Sequence, residues 1–307
     1  MPAISQYFTL PDEDYPYFEQ WSEHPFQAQA DKFSRVNAWH LAEASMLAYG
    51  NRAYVETKLA EKNISLKVDF ITNFSTQCLL LTNENFVIVA FRGTEFPKPE
   101  PSRLVAQYSS MLADVIADVK IRPVDFEEKG KVHQGFRDAF FDVRDVLDDK
   151  ITELAPRPVW FTGHSMGGAL ATLASVYFQP NHGLRGVYTF GSPMVGDAKF
   201  AQFGQRNHYR FVNNNDFVAN LFIPNVVFPF VTRNYVHCGQ EMRFDSHGIL
   251  LDTPDQAGIF DRFSGWIQQP FTAIRYFFFK RELTLPIDAF NDHVPRFYAE
   301  NIKRVRA

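Results

Sequence analysis

Ser165 lies in the run Gly163-His164-Ser165-Met166-Gly167. A serine with glycine two residues to either side is the pattern of a nucleophile carried on a turn too sharp for larger neighbours. Such a hydroxyl becomes reactive when a histidine takes its proton and an acid orients that histidine. The chemistry this allows is acyl transfer through a covalent serine intermediate. The N–H of Met166, at the start of whatever helix follows, would face the reacting carbonyl as an oxyanion donor, assisted by the positive helix end. His164 adjoins the serine, but neighbours on such a turn diverge, so it reads as a packing and hydrogen-bonding residue rather than the base.

The acid should follow the serine on a loop at the end of a strand, with the histidine later still. Asp216 fits best, after the apolar run Tyr209–Val212 and the turn Asn213-Asn214-Asn215. Asp197 opens a helical stretch and reads as a cap for backbone donors. Asp245 lacks a strand before it. Of the histidines beyond Asp216, His237 falls in an apparent β-run from Tyr235 to Phe244, and His247 sits in an Asp-Ser-His-Gly turn. His293, in Asn-Asp-His-Val-Pro just ahead of a helix that Pro295 would start, is presented by a loop and is the preferred base.

These residues need a frame. Val36–Tyr49 reads as a helix stopped by Gly50-Asn51, and Cys78–Leu81 with Phe86–Phe91 as a hairpin. Phe136, Phe140, Val143, Leu147, Ile151 and Leu154 recur at three- and four-residue spacing and mark one buried helical face. Val159–Thr162 predicts a strand entering the serine turn, and Met166–Phe178 a small-residue helix leaving it. Val187–Phe190 and Tyr209–Val212 predict further strands, with a helix over Asp197–Arg206 between them. This alternation predicts an α/β fold whose mostly parallel central sheet is flanked by helices.

Composition narrows the partners. The chain has 307 residues and a formal net charge of −4, with no cluster of Lys and Arg, which argues against nucleic acid. Cys78 and Cys238 make neither a CxxC pair nor a disulfide framework and are expected free and buried. No cleavable signal is visible in the first residues. The apolar stretches 221–231 and 271–279 fall short of the roughly 20 residues a membrane span needs. Phenylalanine is the outlier, at 32 residues, implying either an aromatic core or apolar surface kept for a greasy ligand.

Four segments together resemble the class 3, fungal-type triacylglycerol lipases: FRGTE (91–95), GHSMGGALA (163–171), FGSPMVGD (190–197), and NNNDFV paired with DHVPRFY. The likeness runs in order over roughly residues 36–305 and implies a single α/β-hydrolase catalytic domain over 1–307, after an irregular arm at 1–34. It implies Ser165, Asp216 and His293 as the triad, Thr94 as the second oxyanion donor beside Met166, and a structural role for Arg92. It also implies a lipid ester substrate, acylglycerols first, with no metal or cofactor. Soluble carboxylesterase or feruloyl-type esterase, phospholipase A1, and a noncatalytic lipid-binding protein are the alternatives. The family's lid corresponds to residues 95–112, which here hold three prolines and no tryptophan. An aromatic-rich insertion spans 221–285, and its cations beside aromatics would suit transient contact with a lipid surface. Packing on the core or on a partner subunit is the competing expectation.

Overall fold

Short, apolar, β-branched and aromatic runs separated by helical stretches build a sheet buried on both sides. The computed structural model describes residues 10–74, 76–94, 122–178, 183–204, 206–216, 218–220, 235–251 and 292–304. The proposed lid at 95–112 and most of the insertion at 221–285 lie outside them. Eleven strands form two sheets among the described residues. The larger is ordered β1 (Lys67–Asn73), β2 (Thr76–Thr82), β3 (Val87–Phe91), β6 (Val159–His164), β7 (Leu184–Phe190), β9 (His208–Asn213) and β11 (Gln240–Phe244). From β3 onward every neighbour is parallel, while β1 and β2 form an antiparallel edge. This is the α/β-hydrolase arrangement expected.

Alternation along the strands supplies two cores. Val87, Val89 and Phe91 face one side with Val159 and Phe161, and Ile88, Ala90 and Trp160 face the other. Helices α3 (Gln134–Leu154) and α4 (Met166–Tyr177) cover the first face. The six apolar residues of α3 predicted from spacing are all buried there. Helix α1 (Arg35–Leu47) packs the opposite face against β3, β6 and β7, and carries α6 (Pro295–Arg304). Ser34 caps α1 by accepting from the Asn37 amide. Residues 10–34 contain no helix or strand, yet Tyr15, Tyr17, Phe18 and Phe26 are buried in that second core. Most phenylalanines of the described residues are core; Phe74 and Phe203 are the exposed exceptions.

Several elements differ from expectation. Helix α2 (Arg52–Ala60) and the edge strand β1 had no clear period. A four-stranded sheet made of β10 (Tyr235–Val236), β8 (Gly196–Asp197), β5 (Lys131–His133) and β4 (Pro123–Asp125) uses strands too short to show alternation. The helix expected over Asp197–Arg206 shortens to α5 (Ala198–Phe203), and Asp197 caps it through the Phe200 amide at 2.8 Å. The β-run from Tyr235 to Phe244 is broken at 237–239, where Gly239 adopts φ +76°, so His237 lies between strands rather than on a sheet face. Cys78 and Cys238 are free and buried.

Candidate active site

The serine turn forms because strand β6 must reverse into α4 with no room to spare. Ser165 adopts φ 57°, ψ −129°, a region almost reserved for glycine that costs on the order of 1–3 kcal/mol. A Cβ on Gly163 would sit 2.2 Å from Gly167 O, and one on Gly167 would sit 2.1 Å from Phe91 O. Both glycines are therefore steric necessities of the turn. The Ser165 amide is pinned to Phe190 O at 3.0 Å, which sets the turn against the end of β7. Met166 begins α4, so its N–H belongs to the first helical turn, where backbone donors have no partner within the helix.

Thr94 follows β3 at the same end of the sheet, and its hydroxyl lies 3.8 Å from Met166 Sδ. Arg92 anchors the loop between them and the hairpin: its guanidinium donates to Gln77 Oε1 at 2.6 Å and to Tyr49 O at 3.1 Å. That is the structural role expected of it.

Asp216 and His293 meet directly. His293 Nδ1 is 2.9 Å from Asp216 Oδ2 and 3.0 Å from Oδ1. The aspartate is fully buried, and a buried carboxylate must be surrounded by donors. Val218 and Ala219 amides donate to Oδ1 at 2.8 and 3.4 Å, and the Tyr298 hydroxyl donates to Oδ2 at 2.5 Å. A carboxylate only accepts, so His293 Nδ1 carries the hydrogen and, in the neutral ring, Nε2 keeps a lone pair. Nε2 makes no hydrogen bond to any described residue. Gly191 follows Phe190 at φ +59°, and a Cβ there would lie 2.6 Å from Asp216 Oδ2 and 2.8 Å from His293 Nδ1. The segment that pins Ser165 is thus also the floor under the acid–histidine pair. His164 closes the group from the other side, its ring 4.5 Å from that of His293.

The loops bearing Asp216 and His293 are stapled to each other. Asp292 Oδ2 accepts from Asn214 Nδ2 and from the Asn215 amide, both at 3.0 Å. Asn213 Nδ2 donates to Asp292 O at 3.1 Å, and the Asn213 amide donates to the Tyr298 hydroxyl at 3.0 Å. Burial, with the Asp216 carboxylate beside it, holds the Tyr298 phenol well above its ordinary range, so it remains a donor. None of these supports was singled out from sequence. The run of three asparagines after an apolar strand was the one available signal, since a solvent turn seldom needs three side-chain amides.

The other candidates fall elsewhere. His237 is half-buried with Nε2 2.7 Å from Ala219 O, and desolvation together with Arg210 pushes it well below the usual histidine range. His247 sits in an Asx turn in which Asp245 accepts from the His247 and Ile249 amides. No group of three or more His, Cys, Asp or Glu able to hold a metal occurs among the described residues.

Fold and site together define an α/β-hydrolase whose strained elbow serine shares one end of the sheet with a buried histidine–aspartate pair. Residues 88–226 match the family model for lipase (class 3), and the likeness to that family is carried by this segment. A lipase of Rhizomucor miehei is 34% identical over 152 residues, covering 45% of this chain and 40% of that protein. A secreted mono- and diacylglycerol lipase of Malassezia globosa is 32% identical over 151 residues, covering 43% and 45% respectively. The chain thus spans less than half the length of these two curated relatives. The solved triacylglyceride lipase of Rhizomucor miehei superposes with a TM-score of 0.54 at 23% identity, over 72% of this chain and 86% of that one, which supports the fold.

Proposed function

We propose that this protein is a serine lipase that hydrolyses carboxylic esters of acylglycerols through an acyl-enzyme intermediate. The observation that carries the proposal is the buried Asp216–His293 pair, with Nε2 of His293 unengaged among the described residues, at the sheet end where Ser165 is held in a strained turn.

In this reading His293 Nε2 takes the Ser165 proton as Oγ attacks the ester carbonyl carbon. The carbonyl oxygen becomes an oxyanion held by the backbone N–H groups of Met166 and Thr94, and the imidazolium is stabilised by Asp216. Collapse breaks the C–O bond to the alcohol, which leaves with the proton from His293. Water, deprotonated by the same nitrogen, then releases the acid and restores Ser165. The strain at Ser165 positions Oγ in advance, so less ordering is needed when substrate binds.

Lipid esters are favoured over other esters by the relatives, which are named for lipase and for mono- and diacylglycerol lipase activity. No helix among the described residues is long and apolar enough to cross a membrane. Each acyl methylene buried contributes up to about 0.8 kcal/mol, so octanoyl should gain up to about 5 kcal/mol over acetyl if a groove receives it. The deciding experiment is a rate series on p-nitrophenyl esters from acetyl to palmitoyl, with triolein and a phospholipid as natural comparators and Ser165→Ala as control. Rates that rise with chain length, together with triolein hydrolysis, support the proposal. A monotonic decline beyond acetyl would point instead to a soluble carboxylesterase. Preference for the phospholipid would indicate phospholipase A1, and no turnover with no fluorophosphonate labelling of Ser165 would indicate a binding protein.

A further inference from the structure

His164 is fully buried beside the reactive serine and belongs to a chain of polar contacts in which each hydrogen has one place to go. Its Nε2 lies 2.7 Å from the backbone carbonyl of His293. A carbonyl cannot donate, so Nε2 carries the hydrogen. Its Nδ1 lies 3.2 Å from the Tyr49 hydroxyl, which is likewise buried. Burial, then the neighbouring His293, holds the His164 ring well below the ordinary histidine range, so the ring is neutral and Nδ1 accepts from Tyr49. The oxygen of Tyr49 is pressed against Gly93, where a Cβ would come within 2.1 Å.

We propose that His164 is a positioning residue for His293, and that the chain from the Tyr49 hydroxyl through His164 to the His293 carbonyl holds the loop of the base. This rests on His293 being the base, as argued above. The His293 carbonyl can only accept, so Nε2 donates, Nδ1 of the neutral ring accepts, and the direction of both bonds in the chain is set. His164 is thereby locked in one tautomer. Its neutral ring then lies 4.5 Å from an imidazole that becomes cationic in each turnover. A neutral aromatic face favours that cation, whereas a protonated His164 would repel it. Besides His293 and Tyr49, Tyr298 faces His164, its ring 6.2 Å away.

The test has two arms. In ¹⁵N-labelled wild type, long-range proton–nitrogen correlations, assigned by comparison with His164→Gln, should show His164 protonated at Nε2 and unprotonated at Nδ1 from about pH 5 to about pH 8, across the range where an ordinary histidine titrates. Protonation within that range, or a hydrogen at Nδ1, overturns the proposal. On p-nitrophenyl butyrate, His164→Leu should lower kcat about 100-fold with little change in KM, the size expected when a reacting group is displaced by about 1 Å. His164→Gln should recover much of that loss, because its side-chain amide can donate to the same carbonyl. Unchanged kcat in His164→Leu, or equal losses in Gln and Leu variants of equal thermal stability, overturns it. If wild type hydrolyses no ester, the ester-hydrolase reading falls, and the ring spectrum still decides the hydrogen-bond chain.

Discussion

Asp216 Oδ2 and His293 Nδ1 are 2.9 Å apart although the residues are separated by 77 positions, and Gly191 is the residue on which both rest. Gly191→Ala should therefore act on the pair itself, because its Cβ would overlap the carboxylate and the imidazole together. We expect kcat for ester hydrolysis to fall by about 100-fold or more in protein that still folds. Wild-type kcat in a variant shown to be folded would mean that this pair is not the working one.

Among single substitutions, Ser165→Ala should cost on the order of 10⁶ in kcat, by comparison with another serine triad. His293→Ala should be similarly inactive. His237→Ala should keep activity within about tenfold while losing about 1–3 kcal/mol of stability through the unpaired Ala219 carbonyl it leaves. Steady-state kinetics with urea unfolding separates the two effects, and an active His293→Ala beside an inactive His237→Ala would reassign the base.

Tyr298→Phe removes a donor from a fully buried carboxylate and an acceptor from the Asn213 amide. A hydrogen bond to a charged buried group contributes about 1.5–3 kcal/mol, so the urea midpoint should fall accordingly with the m-value unchanged. An unaltered midpoint would show that the hydroxyl contributes nothing to holding Asp216.

Acid should destabilise the fold earlier than carboxylate protonation alone would. Burial depresses His133 and His208 to about 4, and His164 and His237 lie well below the ordinary value. Below about pH 6.5 the unfolded chain binds protons at these positions and the folded chain does not. The derivative of unfolding free energy with pH is then positive, so stability falls as pH falls, by up to about 1.4 kcal/mol per pH unit for each histidine. Glu43 and Asp12, both raised mainly by burial, act in the opposite direction and offset part of this. Melting temperatures measured from pH 7 to pH 5 should drop steadily. A flat profile would contradict the burial of these rings.

What could be read before the structure was whatever a short stretch of chain must do for itself. Gly163 and Gly167 are demanded by contacts within the turn and at the end of β3, and the buried face of α3 is visible in its own spacing. Asp216 and His293 were legible because a strand end and a helix start announce loops. Tyr298, Asp292 and Tyr49 were not, because their importance lies in what meets them from 78 to 115 positions away. His237 seemed to lie on a strand because apolar alternation continues past it, and the positive φ of Gly239 that ends the pairing leaves no mark beyond the glycine itself. The two- and three-residue strands of the smaller sheet are too short for any period.

Long-range ion pairs hold the helix that follows His293. Arg296 on that helix pairs with Asp12 at 3.2 Å, and Lys303 pairs with Glu19, each contact joining residues 284 positions apart. Contacts of such high sequence separation form late, after the loop-closure entropy of everything between them has been met. His293, two residues before that helix, therefore takes its place beside Asp216 only when the helix docks against residues near the opposite end of the described chain.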